Sequence, residues 1–167
     1  MLCPCCSLKK YSDCCQPIIE KNIPPSNAEA LMRSRYSAYS LKKVSYIYNT
    51  YAKKERVKQS LNDIKSWAEE TLWLKLIIHP LPQEHINTSH TNNEVLFSAY
   101  YLTKTQKNNL TEKYFYRMRE HSEFVKEDGF WRYLRGSVTE HEKMAYPARN
   151  SLCPCTSGKK FKVCCGS

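Results

Sequence analysis

The stretch Lys113-Tyr114-Phe115-Tyr116-Arg117-Met118-Arg119-Glu120-His121-Ser122-Glu123-Phe124-Val125 decides the fold. Its character alternates residue by residue, the period of a strand whose side chains point to opposite faces. One face carries Tyr114, Tyr116, Met118, Glu120, Ser122 and Phe124. The other carries Phe115, Arg117, Arg119, His121, Glu123 and Val125. Asp128-Gly129 follows, a two-residue hairpin signal, and Phe130 to Val138 is the returning strand. Upstream, Val95 to Leu102 is another strand. Before it, Leu72, Leu74, Leu76 and Ile78 alternate with Trp73, Lys75 and Ile77, which predicts a fourth. Pro80 and Pro82 open the polar loop between these two, which runs to about Asn93.

Further upstream the period is helical. Ile23-Pro24-Pro25-Ser26-Asn27 is linker-like, because a residue before proline avoids the helical region. Ser26 or Asn27 is then placed to cap a helix over Ala28 to about Lys42. Ala28, Met32, Tyr36 and Tyr39 share one face of it, with Leu31, Arg35 and Ala38 alongside. Val44 to Tyr51 continues as a short second helix. Ser60-Leu61-Asn62-Asp63 starts a third, carrying Ile64, Trp67 and Ala68. Helices followed by an antiparallel meander predict an α+β domain over residues 27–140, with the helices packed on one face of a curved sheet.

The chain has 167 residues and a net charge of +10, with 41% hydrophobic residues and only four glycines. That length buries most of its apolar surface without covalent help. No apolar run approaches the roughly 20 residues of a membrane span, and the composition excludes collagen-like and largely disordered classes. Met1-Leu2-Cys3-Pro4-Cys5 leaves no room for a secretory signal, so the expected compartment is the cytoplasm. There thiols stay reduced, and clustered cysteines more often bind metal than form disulfides.

The nine cysteines gather at the two ends. Residues 2–15 laid over 152–165, an offset of 150, agree at nine of fourteen positions, and Tyr11 faces Phe161. Each copy reads Cys-Pro-Cys, eight residues, Cys-Cys. Four thiolates at that spacing suit a tetrahedral zinc site. The expectation is two structural zinc ions, one held by Cys3, Cys5, Cys14 and Cys15 in residues 1–22, the other by Cys153, Cys155, Cys164 and Cys165 in residues 147–167. Gly158 suits a sharp bend in the second loop. A redox pair would want Cys-x-x-Cys spacing, and adjacent cysteines make strained bridges. Cys6 is the odd thiol, either free beside the site or an alternative ligand.

Charge and chemistry point to fewer residues. Lys159, Lys160 and Lys162 lie between the ligand pairs of the second copy, a grip for phosphate or an acidic protein surface, against the simpler role of solubility. Glu120 and Ser122 fall on the more apolar strand face. A carboxylate there is either ion-paired, with Arg33 or Arg35 available, or an acid–base candidate. A phosphate-binding glycine loop and a Gly-x-Ser-x-Gly elbow are both missing from the sequence. The five histidines, His85 and His90 in the polar loop among them, have no metal-ligand spacing. Trp67, Trp73 and Trp131 are expected in the core. The reading therefore leans away from an enzyme.

The stretch Leu152-Cys153-Pro154-Cys155-Thr156-Ser157-Gly158-Lys159-Lys160-Phe161-Lys162-Val163-Cys164-Cys165 resembles the SEC-C motif, with Thr156 where glycine is usual. That motif ends the SecA translocation ATPase, where it binds zinc and contacts the SecB chaperone. The first copy departs from it at Cys6 and Leu8, where the pattern has glycine. The whole chain resembles the YchJ family of bacterial proteins. The likeness rests on the paired knuckles, on Ala28 to Tyr39, on Glu120-His121-Ser122-Glu123-Phe124 and on Gly129-Phe130-Trp131-Arg132-Tyr133. It implies a middle domain similar to the nuclear transport factor 2 fold, a cone of helices on a bent sheet.

Three functions follow as expectations. The first is a zinc-dependent interaction module for a protein partner, such as a SecB-like chaperone or a ribosomal surface. The second is a small-molecule-binding domain or enzyme whose cone pocket is lined by Arg33, Arg35, Tyr36, Glu120, Ser122 and Trp131, with an arginine anchoring an anion. The third is a weak nucleic-acid binder acting through the basic C-terminal segment.

Overall fold

In a computed structural model, residues 1–21, 23–82, 93–103, 114–145, 147–153 and 158–164 are described. The polar-loop histidines His85 and His90, and Cys155, Thr156 and Cys165, lie outside them. Five helices precede the sheet: α1 (Gln16–Glu20), α2 (Ala28–Ser40), α3 (Val44–Asn49), α4 (Lys53–Arg56) and α5 (Leu61–Glu70). Asn27 caps α2, its Oδ1 accepting from the Ala30 amide at 2.7 Å. Ser60 caps α5 in the same way through the Asp63 amide at 3.2 Å. Both caps satisfy first-turn N–H groups that no helical carbonyl reaches. The short α1 and α4 have no periodic signal in the sequence. The first begins directly after Cys15, with Pro17 in its first turn, where proline's missing N–H is harmless.

Four strands follow as a meander: β1 (Thr71–His79), β2 (Glu94–Thr103), β3 (Tyr114–Glu127) and β4 (Phe130–Ala145). Every neighbouring pair is antiparallel, in the order β1-β2-β3-β4. β4 runs to Ala145, well past the Val138 expected for it. Asp128 (φ 52°) and Gly129 (φ 81°) make the hairpin turn.

The register breaks at three places. β1 carries an extra residue at Leu74, between the pairs Trp73↔Tyr101 and Lys75↔Tyr100. β4 carries extra residues at Thr139 and Leu134 opposite β3. Such bulges add twist and re-aim side chains. The one in β1 corrects the simple alternation read for that strand. It sends Trp73, Leu76 and Ile78 to the main core under α2, and Leu74 to a small cluster with Leu102 and Phe115. The main core joins Leu31, Met32, Tyr36 and Ala38 of α2 to Phe97, Ala99 and Phe124 of the sheet. It also takes in Cys3, Cys5, Tyr11 and Cys15, so the N-terminal knuckle is part of the domain core.

Among the described residues no helix is long and apolar enough to cross a membrane, which says nothing of strands.

Candidate metal centre and cavity

The described residues at the two ends of the chain share one backbone pattern. In the first, the Cys3 amide donates to the Lys9 carbonyl at 2.8 Å, and Leu2 bridges Lys10. In the second, the Cys153 amide donates to the Lys159 carbonyl at 2.8 Å, and Leu152 bridges Lys160. A 3-10 turn follows each bridge, at Tyr11–Asp13 and Phe161–Val163. It opens with a buried aromatic and returns the Cys14 and Cys164 amides to the Tyr11 and Phe161 carbonyls at 3.1 Å. The glycine positions of the motif are explained by backbone angle. Gly158 has φ 73°, and Leu8, at the same place in the first copy, has φ 63°. Cys6 also has a positive φ, 60°.

The sulfurs of Cys3, Cys5, Cys14 and Cys15 lie within 4.8 Å of one another. Those of Cys5 and Cys14 are 3.6 Å apart, and those of Cys14 and Cys15 are 3.8 Å apart. Four sulfurs about 2.3 Å from a central zinc stand about 3.8 Å from each other in a tetrahedron, so the spacing fits that ion. No described cysteine is in a disulfide. Hydrogen bonds from Cys15 and Cys3 hold the Cys5 thiol far below the usual thiol range. Hydrogen bonding with Cys3 and Cys5 drives Cys15 far above it, and burial pushes Cys14 up to about 11. A divalent cation among these four sulfurs would favour their ionised form. Cys6 lies outside the cluster, its sulfur 3.4 Å from the Pro4 carbonyl and 3.5 Å from the Leu76 amide.

The surrounding protein holds the ligands. The Cys3 sulfur meets the Ser37 hydroxyl at 3.5 Å, and Arg33 donates to the Cys5 carbonyl at 3.1 Å while pairing with Glu29 at 2.7 Å. Ser37 was not singled out from sequence. No local pattern marks it, because its partner lies thirty-four residues away. Of the second set, Cys153 is buried and Cys164 half-buried, whereas Cys155 and Cys165 fall outside the described residues. Lys159, Lys160 and Lys162 are exposed on that knuckle.

The sequence candidates for a pocket divide. Arg35, Tyr36 and Glu120 line a cavity of about 280 Å³ between α2 and the sheet, together with Tyr39, Trp67 and Trp73. Arg33 does not line it, since it serves the knuckle. Trp131 instead lines a separate cleft near Pro24 and Tyr46. Ser122 is fully buried behind Glu120, donating to its Oε1 at 2.6 Å. The ion pair considered between Glu120 and Arg33 or Arg35 is not formed. Tyr133 donates to the same Oε1 at 2.9 Å. Arg35 donates to the Ile47 carbonyl at 2.8 Å and Thr50 Oγ1 at 2.6 Å. Its guanidinium lies between the rings of Tyr51 and Tyr133, 4.4 and 4.6 Å from their centres. Trp67 and Trp73 are thus cavity walls rather than plain core. The Arg117 and Arg119 side chains on the opposite sheet face pair with Glu140, and His121 with Glu94.

Comparison with known proteins agrees with this architecture. Residues 27–136 match the family described as YchJ, middle NTF2-like domain, and residues 149–167 match the SEC-C motif. A UPF0225 protein of Actinobacillus succinogenes is 36% identical over 99% of this chain and 97% of its own length. One from Vibrio vulnificus is 34% identical over 98% of each chain. A SEC-C motif containing protein from Rhodopseudomonas palustris has a solution structure that superposes with a TM-score of 0.66. It is 30% identical and covers 84% of this chain and 100% of its own. The crystal structure of another from Psychrobacter arcticus gives a TM-score of 0.62 at 28% identity, over 99% of this chain and 96% of that one. With a matching middle domain, a matching SEC-C motif and near full-length relatives, this chain belongs to the UPF0225 (YchJ) family.

Proposed function

We propose that this protein is a zinc-stabilised interaction module. Each terminal knuckle holds one zinc ion through four thiolates, and the C-terminal knuckle presents its lysines to an acidic partner surface. The observation that carries the reading is the gathering of the Cys3, Cys5, Cys14 and Cys15 sulfurs within 4.8 Å of one another. A shell of four protein ligands leaves no open position for a reactive water, so both ions are structural. The division of labour follows from burial. The first knuckle is built into the domain core through α2, while Lys159, Lys160 and Lys162 stand exposed on the second. A rigid basic knob of this kind suits an acidic protein surface, with a SecB-like chaperone or a ribosomal protein as candidates from the motif's resemblance.

Metal content per chain tests the first half. About two zinc ions are expected in the wild type, and about one in Cys5→Ser and in Cys155→Ser. Less than one in the wild type overturns the module. Binding to purified SecB and to ribosomes, with and without chelator, tests the second half. Binding that is lost on chelation and on replacing the three lysines with glutamate supports it, and unchanged binding or none removes these partners.

A further inference from the structure

The cavity beneath α2 contains a carboxylate that the fold goes to some length to hold. Two donors, Ser122 and Tyr133, converge on Glu120 Oε1 at 2.6 and 2.9 Å. Gly136 lies directly against that oxygen, and a Cβ there would collide with the Glu120 carboxylate and the Tyr133 hydroxyl. The bulge at Thr139 sits beside Glu120 in the β3–β4 register, where bulges commonly re-aim a side chain. The other carboxylate oxygen receives no hydrogen bond from the described residues. A fixed acceptor on an aromatic-walled cavity, with one oxygen uncommitted, is suited to an N–H donor.

Charge, shape and volume narrow the donor. Arg35 also lines the cavity, its Nη1 occupied by Ile47 and Thr50 and both its faces covered by tyrosine rings. Its positive charge offsets that of Glu120. With one charge of each sign in the wall, a ligand with net charge of either sign would leave one of them uncompensated in a poorly hydrated space. The walls are flat and nearly perpendicular. Trp73 meets Tyr36 at 75° with centroids 5.4 Å apart, and Trp67 at 84° and 6.0 Å. The volume of about 280 Å³ lies just under the roughly 300–1,000 Å³ of typical small-molecule sites. That suits one ring or two fused rings.

We propose that this cavity binds a small, neutral heteroaromatic molecule that stacks on Trp67, meets Trp73 edge-on and donates an N–H edge to Glu120. This goes beyond the zinc reading and does not depend on it. The test is calorimetric titration of the zinc-loaded full chain with 6-methylpterin, a neutral two-ring probe with an N–H and amino edge. Quinoxaline, a flat two-ring compound without an N–H, tetramethylammonium and inorganic phosphate are the comparisons. The pterin is expected to bind about tenfold or more tightly than quinoxaline, and Glu120→Gln to weaken it about tenfold. Trp67→Ala is expected to weaken both ring compounds about fivefold or more through lost stacking. Because Trp67 is 37% exposed at the cavity edge, that variant keeps the test open should Glu120→Gln fail to fold. No saturable pterin binding, equal affinity for quinoxaline, or tighter binding of tetramethylammonium or phosphate would each overturn the proposal.

Discussion

Leu8 and Gly158 occupy the same place in the two knuckles and share one backbone conformation, with φ of 63° and 73°. A side chain in that left-handed region costs roughly 1–2 kcal/mol, part of which is recovered because glycine loses more entropy on folding. Leu8 is 71% exposed, so little packing is lost with its side chain. Leu8→Gly should therefore stabilise the first knuckle by about 0.5–1 kcal/mol, and Gly158→Leu should destabilise the second by a similar amount. Chemical denaturation of the zinc-loaded protein measures the first, and the rate of zinc loss to a chelator measures the second. A destabilised Leu8→Gly would contradict the equivalence.

Ser37 supports a candidate metal ligand from outside the knuckle. Its hydroxyl lies 3.5 Å from the Cys3 sulfur and is fully buried. Partners of this kind orient ligands, and their loss costs roughly 10–100-fold in metal affinity. Ser37→Ala is expected to lower affinity at the N-terminal site by about tenfold, read by competition with a zinc indicator. Affinity equal to the wild type would leave Ser37 with packing alone.

Gly136 is the empty space into which the Glu120 carboxylate and Tyr133 hydroxyl fit. In Gly136→Ala the added methyl must displace the carboxylate. A cost of about 1–3 kcal/mol is expected, as for other overpacked sites. Thermal denaturation compares it with Gly129→Ala in the hairpin turn, where an added Cβ meets nothing but the φ of 81° is strained. A crystal structure of the Gly136 variant should show Glu120 swung away from Ser122.

The two proposed metal sites should differ in what their loss does to the domain. Cys3, Cys5 and Cys15 belong to the main core, whereas Cys153 and Phe161 are in neither core cluster. Cys5→Ser is expected to remove about 3 kcal/mol or more, a fall of roughly 6–12 °C in the melting temperature. Cys155→Ser should leave the main transition within a degree or two. Equal losses in calorimetry would mean that the second knuckle also carries the domain.

The α+β order, the caps at Asn27 and Ser60 and the paired knuckles were all legible from residue type and spacing. These depend on interactions within a few residues, which a sequence displays directly. The nine agreeing positions between the two ends likewise announced the backbone pattern that the described residues of both ends share. The short helices α1 and α4 had no signal, since each spans less than two turns. Trp73 was placed only by the bulge at Leu74, an extra residue that a simple period of two cannot anticipate.

Sequence alone therefore determined the element order and the gathering of Cys3, Cys5, Cys14 and Cys15 into one cluster, because neighbours along the chain decide these. Tertiary structure alone decided that Arg33 and Ser37 serve the knuckle, that Arg35 is held between Tyr51 and Tyr133, and that Glu120 answers to Ser122, Tyr133 and Gly136 rather than to an arginine. Most of those contacts join residues far apart in the chain. Their geometry is set by sheet register and by the way α2 crosses the sheet, neither of which is a property of any one segment.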